Sequence, residues 1–341
     1  MIKTKKLSFS MEEVDKKLGF VEPNFYSTER EEITETLGIK NVTYEGVKSE
    51  VIWGLYDALM DDHSDRVKKN EVKNDDGTFT NYEYVVSTGD YNEKVGSYSS
   101  IDGDIKKPKY LVCSGIHGWE KPSIISTYRL FRDIVTGHNI PARFREGCVI
   151  HFLPIGNPWS FDNTKRDNEK GYNINRNFAW NWGVGVQDDK KDYIGTSANS
   201  EKETQAIANW LAANAGAQLF LDCHNISPGY NEIVTVIGLT DSEAYDKRKK
   251  VAMRGVDRVV QFWKDKIGYA NSTIFRNSAS NNEGGMSIFY ASEVLGIPSL
   301  GLELSVRPTG TEELATNLLP ETVAVGAEVI GNVLMEFYDR L

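Results

Sequence analysis

Short apolar runs alternate with longer amphipathic segments along most of this chain. Strand-like runs occupy residues 82–86, 110–113, 148–153, 218–224, 233–237 and 297–304. Segments with helical period occupy residues 44–59, 122–135, 200–211 and 240–266, and a last one begins at Pro320. Strands that alternate with helices of about 10–20 residues are typical of α/β proteins. The pattern therefore predicts a single α/β domain with a mixed, largely parallel central sheet that helices cover on both faces.

Two stretches lack this alternation. Residues 1–40 are polar and are interrupted by Gly19, Pro23 and Gly38, which predicts an N-terminal extension outside the core. The residues between about 60 and 81 are charged and rich in turn-forming residues, which indicates an irregular connection. No internal repeat or low-complexity linker divides the remainder, so residues 41–341 are predicted to form one domain.

The composition argues against several classes of protein. A hydrophobic content of 40% and a charged content of 26% are ordinary for a soluble globular chain of 341 residues. The net charge of −10 argues against nucleic-acid binding, because that function requires a basic face to neutralise phosphate. No apolar run approaches the ~20 residues of a membrane span, so no membrane partner is predicted.

The sequence also predicts a cellular compartment. The N-terminus carries positive charge without a following apolar segment, so it does not resemble a signal peptide. The three cysteines, Cys113, Cys148 and Cys223, each lie in an apolar strand-like run, which predicts buried free thiols rather than disulfides. Both observations predict a cytoplasmic protein.

Polar side chains lie where the apolar strands end. His117 and Glu120 follow one strand, and Asn157 follows the next. His224 and Glu303 lie in the last residues of two further strands. Polar groups are costly in such surroundings without a purpose, and open α/β sheets bind ligands beyond the carboxyl ends of their strands. A single HxxE motif is weak evidence, but the later residues supply the partners that it lacks.

These residue types together point to zinc chemistry. Two histidines and one glutamate can hold a catalytic zinc ion, which keeps a fourth position for a water molecule. The candidate ligands of this one ion are His117, Glu120 and His224. A second carboxylate that is not a ligand must accept the proton of that water, and Glu303 is the candidate. The remaining histidines lie in polar loops or in mid-strand and are interpreted as ordinary residues: His63, His138 and His151.

A long polar and aromatic segment occupies residues 159–192. Loops of about 30 residues are uncommon unless they have a function, so functional residues are predicted within it. It contains Arg166, Asn175 and Arg176. After it, the SEKE sequence at 200–203 is a capping box, which predicts the start of a helix.

Several short motifs occur in the order that one enzyme family shows. They are HGWE at 117–120, NRNF at 175–178, YIGTSANSEKET at 193–204, DCH at 222–224, LELS at 302–305 and NLLP at 317–320. In this respect the chain resembles the carboxypeptidase A/B-type zinc metallocarboxypeptidase family over roughly residues 41–341. The resemblance implies a zinc carboxypeptidase-like catalytic domain that binds one Zn²⁺ through the three candidate ligands, with Glu303 as general base and then general acid.

The resemblance also implies roles for residues that contact the substrate. Arg166 matches the arginine that stabilises the oxyanion of the tetrahedral intermediate. Asn175 and Arg176 match the pair that binds the terminal carboxylate of the substrate, a task that suits the bidentate guanidinium group. Tyr290 is the nearest candidate for the tyrosine that caps the bound substrate, although its spacing to Glu303 is shorter than in the family.

The sequence leaves the substrate and the oligomeric state open. The first hypothesis is a zinc carboxypeptidase that acts on peptides with a free C-terminal carboxylate, including cell-wall-type peptides with D or diamino-acid links. The alternatives are an N-acyl amino-acid amidohydrolase related to succinylglutamate desuccinylase or aspartoacylase, and a zinc-dependent binding module without activity. Two departures are visible: Trp119 occupies the position where digestive members of the family carry an arginine within HxxE, and the segment 284–288 offers no charge to select basic residues.

Overall fold

The computed structural model describes residues 47–87, 107–138, 140–185, 194–225, 234–238, 243–267, 284–304 and 320–340. The predicted extension 1–40 and most of the NLLP motif lie outside the described residues. The sheet formed by the described residues has the strands β1 (Val67–Lys73), β2 (Thr80–Ser87), β3 (Lys109–Ser114), β4 (Val149–Leu153), β5 (Leu219–Asn225), β6 (Val234–Ile237) and β7 (Ser299–Leu304). Their order across the sheet is β1-β2-β4-β3-β5-β7-β6.

The described helices alternate with these strands as the hydrophobic pattern predicts. They are α1 (Ser49–Asp62), α2 (Lys121–Thr136), α3 (Ala142–Gly147), α4 (Pro158–Asn163), α5 (Lys202–Ala213), α6 (Glu243–Ile267) and α7 (Pro320–Tyr338). Single helical turns occur at Ile174–Arg176, Ser287–Phe289 and Tyr290–Val294. Within the described part of the chain, every helix is too short or too polar to cross a membrane.

The sheet is mixed, with a parallel centre. Strands β4, β3, β5 and β7 are parallel neighbours, whereas β1, β2 and β6 add to the two sides in antiparallel orientation. One apolar cluster packs α1, α2, α6 and α7 against one face of the sheet. A second cluster packs α5 and the segment 286–297 against the other face. The predicted fold class is therefore confirmed.

Two local predictions require correction. The charged connection between 60 and 81 contains strand β1, which buries only Val67 and Val72 and therefore has no apolar run to reveal it. Charged side chains are common on such edge strands because they discourage pairing with other molecules.

The second correction concerns the predicted capping box at residues 200–203, which does not form. Helix α5 begins at Lys202 without a side-chain cap, because Ser200 and Glu203 form hydrogen bonds with residues of the preceding loop instead.

The connectivity creates a crevice at one edge of the central strands. The chain leaves β3 for β4 on one side and later returns to β5 on the other side of β3. Such a switch point separates the loops that follow the two neighbouring strands, and ligands of α/β proteins bind there. His117 follows β3 and His224 lies near the end of β5, so the fold brings both histidines to this crevice.

Candidate metal centre

The loop between β3 and α2 is held in one conformation by its glycines and by backbone hydrogen bonds. Gly115 has a φ of +67°, a left-handed conformation that glycine adopts without strain. Gly118 lies so close to the backbone of Phe161 that a Cβ atom would come within 1.9 Å of its nitrogen. The N–H of Asn157 donates to the carbonyl of Gly115 at 2.9 Å. These contacts fix the positions of His117 and Glu120 on either side of Gly118.

Strand β5 supplies the second histidine and strand β7 supplies a carboxylate beside it. His224 and Glu303 are register partners in these parallel strands, so their side chains leave the same face of the sheet. His224 is 3% exposed, whereas Glu303 is only partly buried. The strand pairing therefore places a candidate base directly beside a candidate metal ligand.

Two imidazole nitrogens converge on a single buried carboxylate. His117 Nδ1 lies 2.9 Å from Glu120 Oε1, and His224 Nδ1 lies 2.8 Å from Glu120 Oε2. One ligand atom from each of these side chains lies within 4.8 Å of the corresponding atoms of the others, and all three residues are buried. The sequence predicted this ligand set, and the structure brings its members together.

The far side of each imidazole ring is occupied by a protein acceptor. His117 Nε2 lies 3.0 Å from Asn173 Oδ1, and His224 Nε2 lies 2.9 Å from Asp222 Oδ2. Acceptors at Nε2 favour the tautomer that carries its proton there and leaves the Nδ1 lone pair facing Glu120. Two imidazole lone pairs and one carboxylate, with the second nitrogen of each ring held by the protein, fit a zinc ion.

The protonation of the cluster follows from burial and from neighbouring charges. Burial alone raises the pKa of Glu120, but the adjacent His117 and His224 lower it well below its usual range. The pKa of His117 is lowered by its burial. Burial also acts to lower the pKa of His224, yet the carboxylates of Asp222 and Glu120 together raise it well above the usual value. Without a cation, a proton on His224 balances the charge of Glu120, and a metal ion has to displace that proton.

Glu303 is a buried carboxyl group whose pKa is raised toward neutral pH. Burial, together with the charges of Glu120 and Asp222, raises its pKa to about 8, while His224 and Arg166 oppose the shift. A catalytic base is most effective when its pKa lies near the working pH. A cation bound at the three ligands would lower this pKa and favour the ionised form, which is the form that accepts a proton.

Arg166 is tied to the His117 loop through the residues that precede it. The hydroxyl of Ser160 accepts a hydrogen bond from the N–H of Gly118 at 2.9 Å and donates one to the carbonyl of Lys165. The N–H of Trp119 donates to the same carbonyl at 3.0 Å. These bonds place the guanidinium of Arg166 with Nη1 3.4 Å from His117 Nδ1.

Asn175 and Arg176 lie on a short helical turn beside His224. Asn175 Oδ1 accepts a hydrogen bond from the backbone N–H of Ser287 at 2.9 Å. Its Nδ2 lies 3.3 Å from His224 Nε2, which is a contact between two donors when Nε2 carries its proton. Arg176 Nη1 donates to the carbonyl of Asn175 at 2.8 Å, and its side chain is partly exposed. Both residues therefore lie on the His224 side of the centre.

Tyr290 is not brought to this cluster. Its ring packs 5.8 Å from the ring of Phe178, and its pKa is raised by burial and by the charge of Asp75. No described contact joins Tyr290 to His117, Glu120 or His224, so its capping role rests on the resemblance alone.

In contrast, Trp119 lies at the centre itself: its Nε1 donates to Glu120 Oε1 at 3.3 Å and its side chain is 46% exposed.

Sequence reasoning missed the two acceptors behind the histidines. Asp222 lies two residues before His224, and residues at i and i+2 of a strand share a face. An aspartate within an apolar strand was therefore a usable signal. Asn173 offered no comparable signal, because asparagine is an ordinary loop residue.

A comparison with protein-family models assigns most of the chain. The model described as zinc carboxypeptidase matches residues 66–324. No curated protein matches the chain. The match covers the loop of His117 and Glu120, the NRNF segment and the strands that carry His224 and Glu303.

Solved structures of similar fold include carboxypeptidases. Carboxypeptidase A from Helicoverpa armigera has a TM-score of 0.68 at 17% identity, with 93% of this chain and 80% of that chain covered. Thrombin activatable fibrinolysis inhibitor has a TM-score of 0.67 at 17% identity, with 86% and 75% covered. A metallo-carboxypeptidase from Burkholderia cenocepacia has a TM-score of 0.60 at 16% identity, with 86% and 70% covered. At these identities the likeness shows the fold.

Proposed function

Because this chain belongs to the zinc carboxypeptidase family, we propose that it hydrolyses the C-terminal amide bond of peptides and releases their last residue. The observation that carries the proposal is the convergence of two imidazole Nδ1 atoms on Glu120, with the Nε2 atom of each ring already occupied. That arrangement leaves electron pairs for a cation in a buried crevice. Family membership makes the protein a zinc metallopeptidase and a hydrolase.

His117, Glu120 and His224 are the residues that would hold the zinc ion. Zinc in such a site lowers the pKa of a bound water and polarises a carbonyl group. Glu303 accepts the proton of the attacking water and then delivers it to the amine that leaves. Its partly exposed position beside His224 supports this role, since the base must reach the substrate without being a ligand.

Three further residues orient the substrate in this proposal. Arg166, held near His117, donates hydrogen bonds to the oxyanion as negative charge develops on the carbonyl oxygen. Asn175 and Arg176 bind the terminal carboxylate on the His224 side. A carboxylate held there would direct the scissile carbonyl toward the metal centre, which accounts for the release of terminal residues only.

The substrate class is a peptide with a free C-terminal carboxylate, and cell-wall-type peptides belong to the candidates. No observation in the described residues favours the amidohydrolase or the binding module. The cytoplasmic location, the extension 1–40 and the capping role of Tyr290 stay predictions from the sequence.

The experiment that tests the function is mass-spectrometric product mapping. The purified protein meets L-terminated peptides, their C-terminally amidated copies, D- and diamino-acid muropeptides, and N-acyl amino acids, each with and without a zinc chelator. We expect chelator-sensitive loss of one terminal residue from peptides with a free carboxylate and little cleavage of the amidated copies. Cleavage of N-acyl amino acids alone would replace the carboxypeptidase with the amidohydrolase. Equal cleavage of free and amidated peptides would refute the carboxylate clamp.

Glu303→Gln tests the proposed base within the same assay. Glutamine keeps the shape of the side chain but cannot accept the proton, so turnover should fall by at least about 100-fold, at the lower end of general-base effects. Zinc content should stay at the unmodified value, because Glu303 is not among the ligands. Glu293→Gln, at an exposed glutamate after the turn at Ser287–Phe289, is the matched control and should leave both quantities unchanged. Full activity of E303Q would remove Glu303 from the mechanism.

A further inference from the structure

A second carboxylate lies buried directly behind His224. Asp222 is 1% exposed at the centre of β5, where its register partners are Cys113 of β3 and Gly301 of β7. An ionised carboxylate in such a place is strongly unfavourable unless protein groups pair with it. The contacts of Asp222 therefore indicate why an aspartate occupies this position.

Both contacts of Asp222 lead to the candidate metal centre. Its Oδ2 atom lies 2.9 Å from His224 Nε2 and also accepts a hydrogen bond from the hydroxyl of Ser287. Its Oδ1 atom has no hydrogen-bond partner among the described residues. The carboxylate is thus aimed at the imidazole and is not saturated by a structural network.

Ser287 joins this pair to the substrate side of the centre. Its hydroxyl donates to Asp222, while its backbone N–H donates to Asn175 Oδ1 at 2.9 Å. A single residue on the helical turn Ser287–Phe289 therefore holds both the carboxylate behind His224 and the amide proposed to bind the terminal carboxylate. Displacement of this turn would move both groups together.

We propose that Asp222 is the positioning residue of His224, oriented by Ser287, and that it sets the affinity of the centre for zinc. Asp222 accepts the Nε2 proton, which fixes the tautomer, raises the basicity of Nδ1 and aims that atom at Glu120. The inference rests on the proposed function, because it assigns a role toward the same zinc ion.

The two histidines differ in the charge of their support. His117 Nε2 faces the neutral amide of Asn173, whereas His224 Nε2 faces a carboxylate. A charged acceptor forms a stronger hydrogen bond than a neutral one. His224 is therefore the more strongly held ligand, and Asp222 should matter more to zinc binding than Asn173 does.

The test measures zinc affinity by competition with a chromogenic chelator, which requires no turnover. Asp222→Asn keeps the shape and removes the charge, and we expect it to weaken zinc binding by about 10-fold or more. Ser287→Ala, which keeps the carboxylate but removes its donor, should weaken zinc binding to a smaller extent. Ser299→Ala is the matched control, since that buried hydroxyl donates to the carbonyl of Ile288 on the same turn without touching Asp222.

A charged acceptor placed behind His117 instead of His224 distinguishes a positioning role of Asp222 from a general loss of stability. Asn173 Nδ2 has no hydrogen-bond partner among the described residues, so Asn173→Asp adds a charged acceptor behind His117 without breaking a described bond. We expect N173D to tighten zinc binding and to recover part of the affinity that D222N loses. A structural role would not produce this recovery.

The outcomes separate this inference from the proposed function. Zinc affinity of D222N equal to that of the unmodified protein would overturn the role of Asp222, whatever the product mapping shows. If D222N does not fold, S287A decides: an affinity indistinguishable from that of S299A would overturn the proposal. Weakened zinc binding in D222N and S287A, in a protein that cleaves no peptide, would uphold the inference and refute the function.

Discussion

Two buried clusters of glutamate and histidine lie at the same sheet, and they differ in how far the protein itself satisfies the carboxylate. The first is Glu120 with His117 and His224. The second is Glu83 on β2 with His151 on β4, where Glu83 Oε2 lies 2.9 Å from His151 Nδ1. Both glutamates are less than a tenth exposed, and burial alone acts to raise the pKa of each.

The two clusters differ in the groups that donate hydrogen bonds to the carboxylate. Glu83 accepts from Trp210 Nε1 at 2.5 Å and from Asn70 Nδ2 at 2.9 Å, in addition to the contact with His151. These bonds lower its pKa below the usual value and satisfy its charge within the protein. The Glu83 cluster is therefore complete as it stands.

Glu120 has far weaker protein donors. Beside the two imidazoles it is approached by Trp119 Nε1 and the N–H of Asn225, both at 3.3 Å. Each imidazole directs its Nε2 atom to another acceptor, so a neutral ring presents a lone pair to Glu120. A proton or a cation must lie between them. Residue types alone do not distinguish a metal centre from a buried ion pair; the donors that reach the carboxylate do.

Glu120 and Glu83 should differ most in how their substitution changes zinc affinity. Glu120→Gln removes a charged ligand, so zinc affinity should fall by at least about 100-fold. That value is the upper end of the loss seen when only a residue that is hydrogen-bonded to a ligand is changed. Glu83→Gln should leave zinc affinity unchanged, since the hydrogen bonds of Glu83 go to Asn70, His151 and Trp210 and not to the candidate ligands. Chelator competition measures both variants. Equal losses in the two variants would erase the distinction between the clusters.

The second expected effect is on the free energy of unfolding. Here the substitution of Glu83 should lower the measured quantity, whereas zinc affinity should respond to the substitution of Glu120. Glu83→Gln turns an amide N–H₂ group toward donors and leaves buried polar groups unsatisfied, which costs about 1–3 kcal/mol of unfolding free energy. Denaturant unfolding of the metal-free protein measures the change. Glu71→Gln, at an exposed glutamate on β1, is the control and should show no loss. A stability of E83Q equal to that of the control would show that Glu83 is not a structural anchor.

The smallest effect is a dependence on pH. Because the pKa of Glu83 is lowered in the folded protein, its stabilising contribution is present above the unfolded pKa, which is about 4.3 for glutamate. The contribution is lost as the pH falls through the folded pKa. The difference in unfolding free energy between the unmodified protein and E83Q should therefore shrink below about pH 4.3. A difference that stayed constant or grew on acidification would contradict the assignment of a stabilising ionised Glu83.

Much of the fold was predictable because it depends on local patterns. Runs of apolar residues marked the central strands and amphipathic periods marked the helices, since burial on one face or both leaves a direct trace in the sequence. Strand β1 escaped because an edge strand buries few side chains. The helix at 202 was located to within two residues, but its predicted cap failed because loop residues compete for the same side chains.

The residues that could take part in the chemistry are recognisable from their positions in the chain. His117, Glu120, His224 and Glu303 were identifiable because polar side chains at the ends of apolar strands meet at one edge of a parallel sheet. Which atoms face one another becomes known only in the folded chain: the Nδ1 atoms converge on Glu120, and Asp222 and Asn173 lie on the Nε2 side. The folded chain also packs the ring of Tyr290 against Phe178. The type of a side chain is a property of one position in the sequence, whereas the direction of a hydrogen bond depends on residues that are distant in the chain.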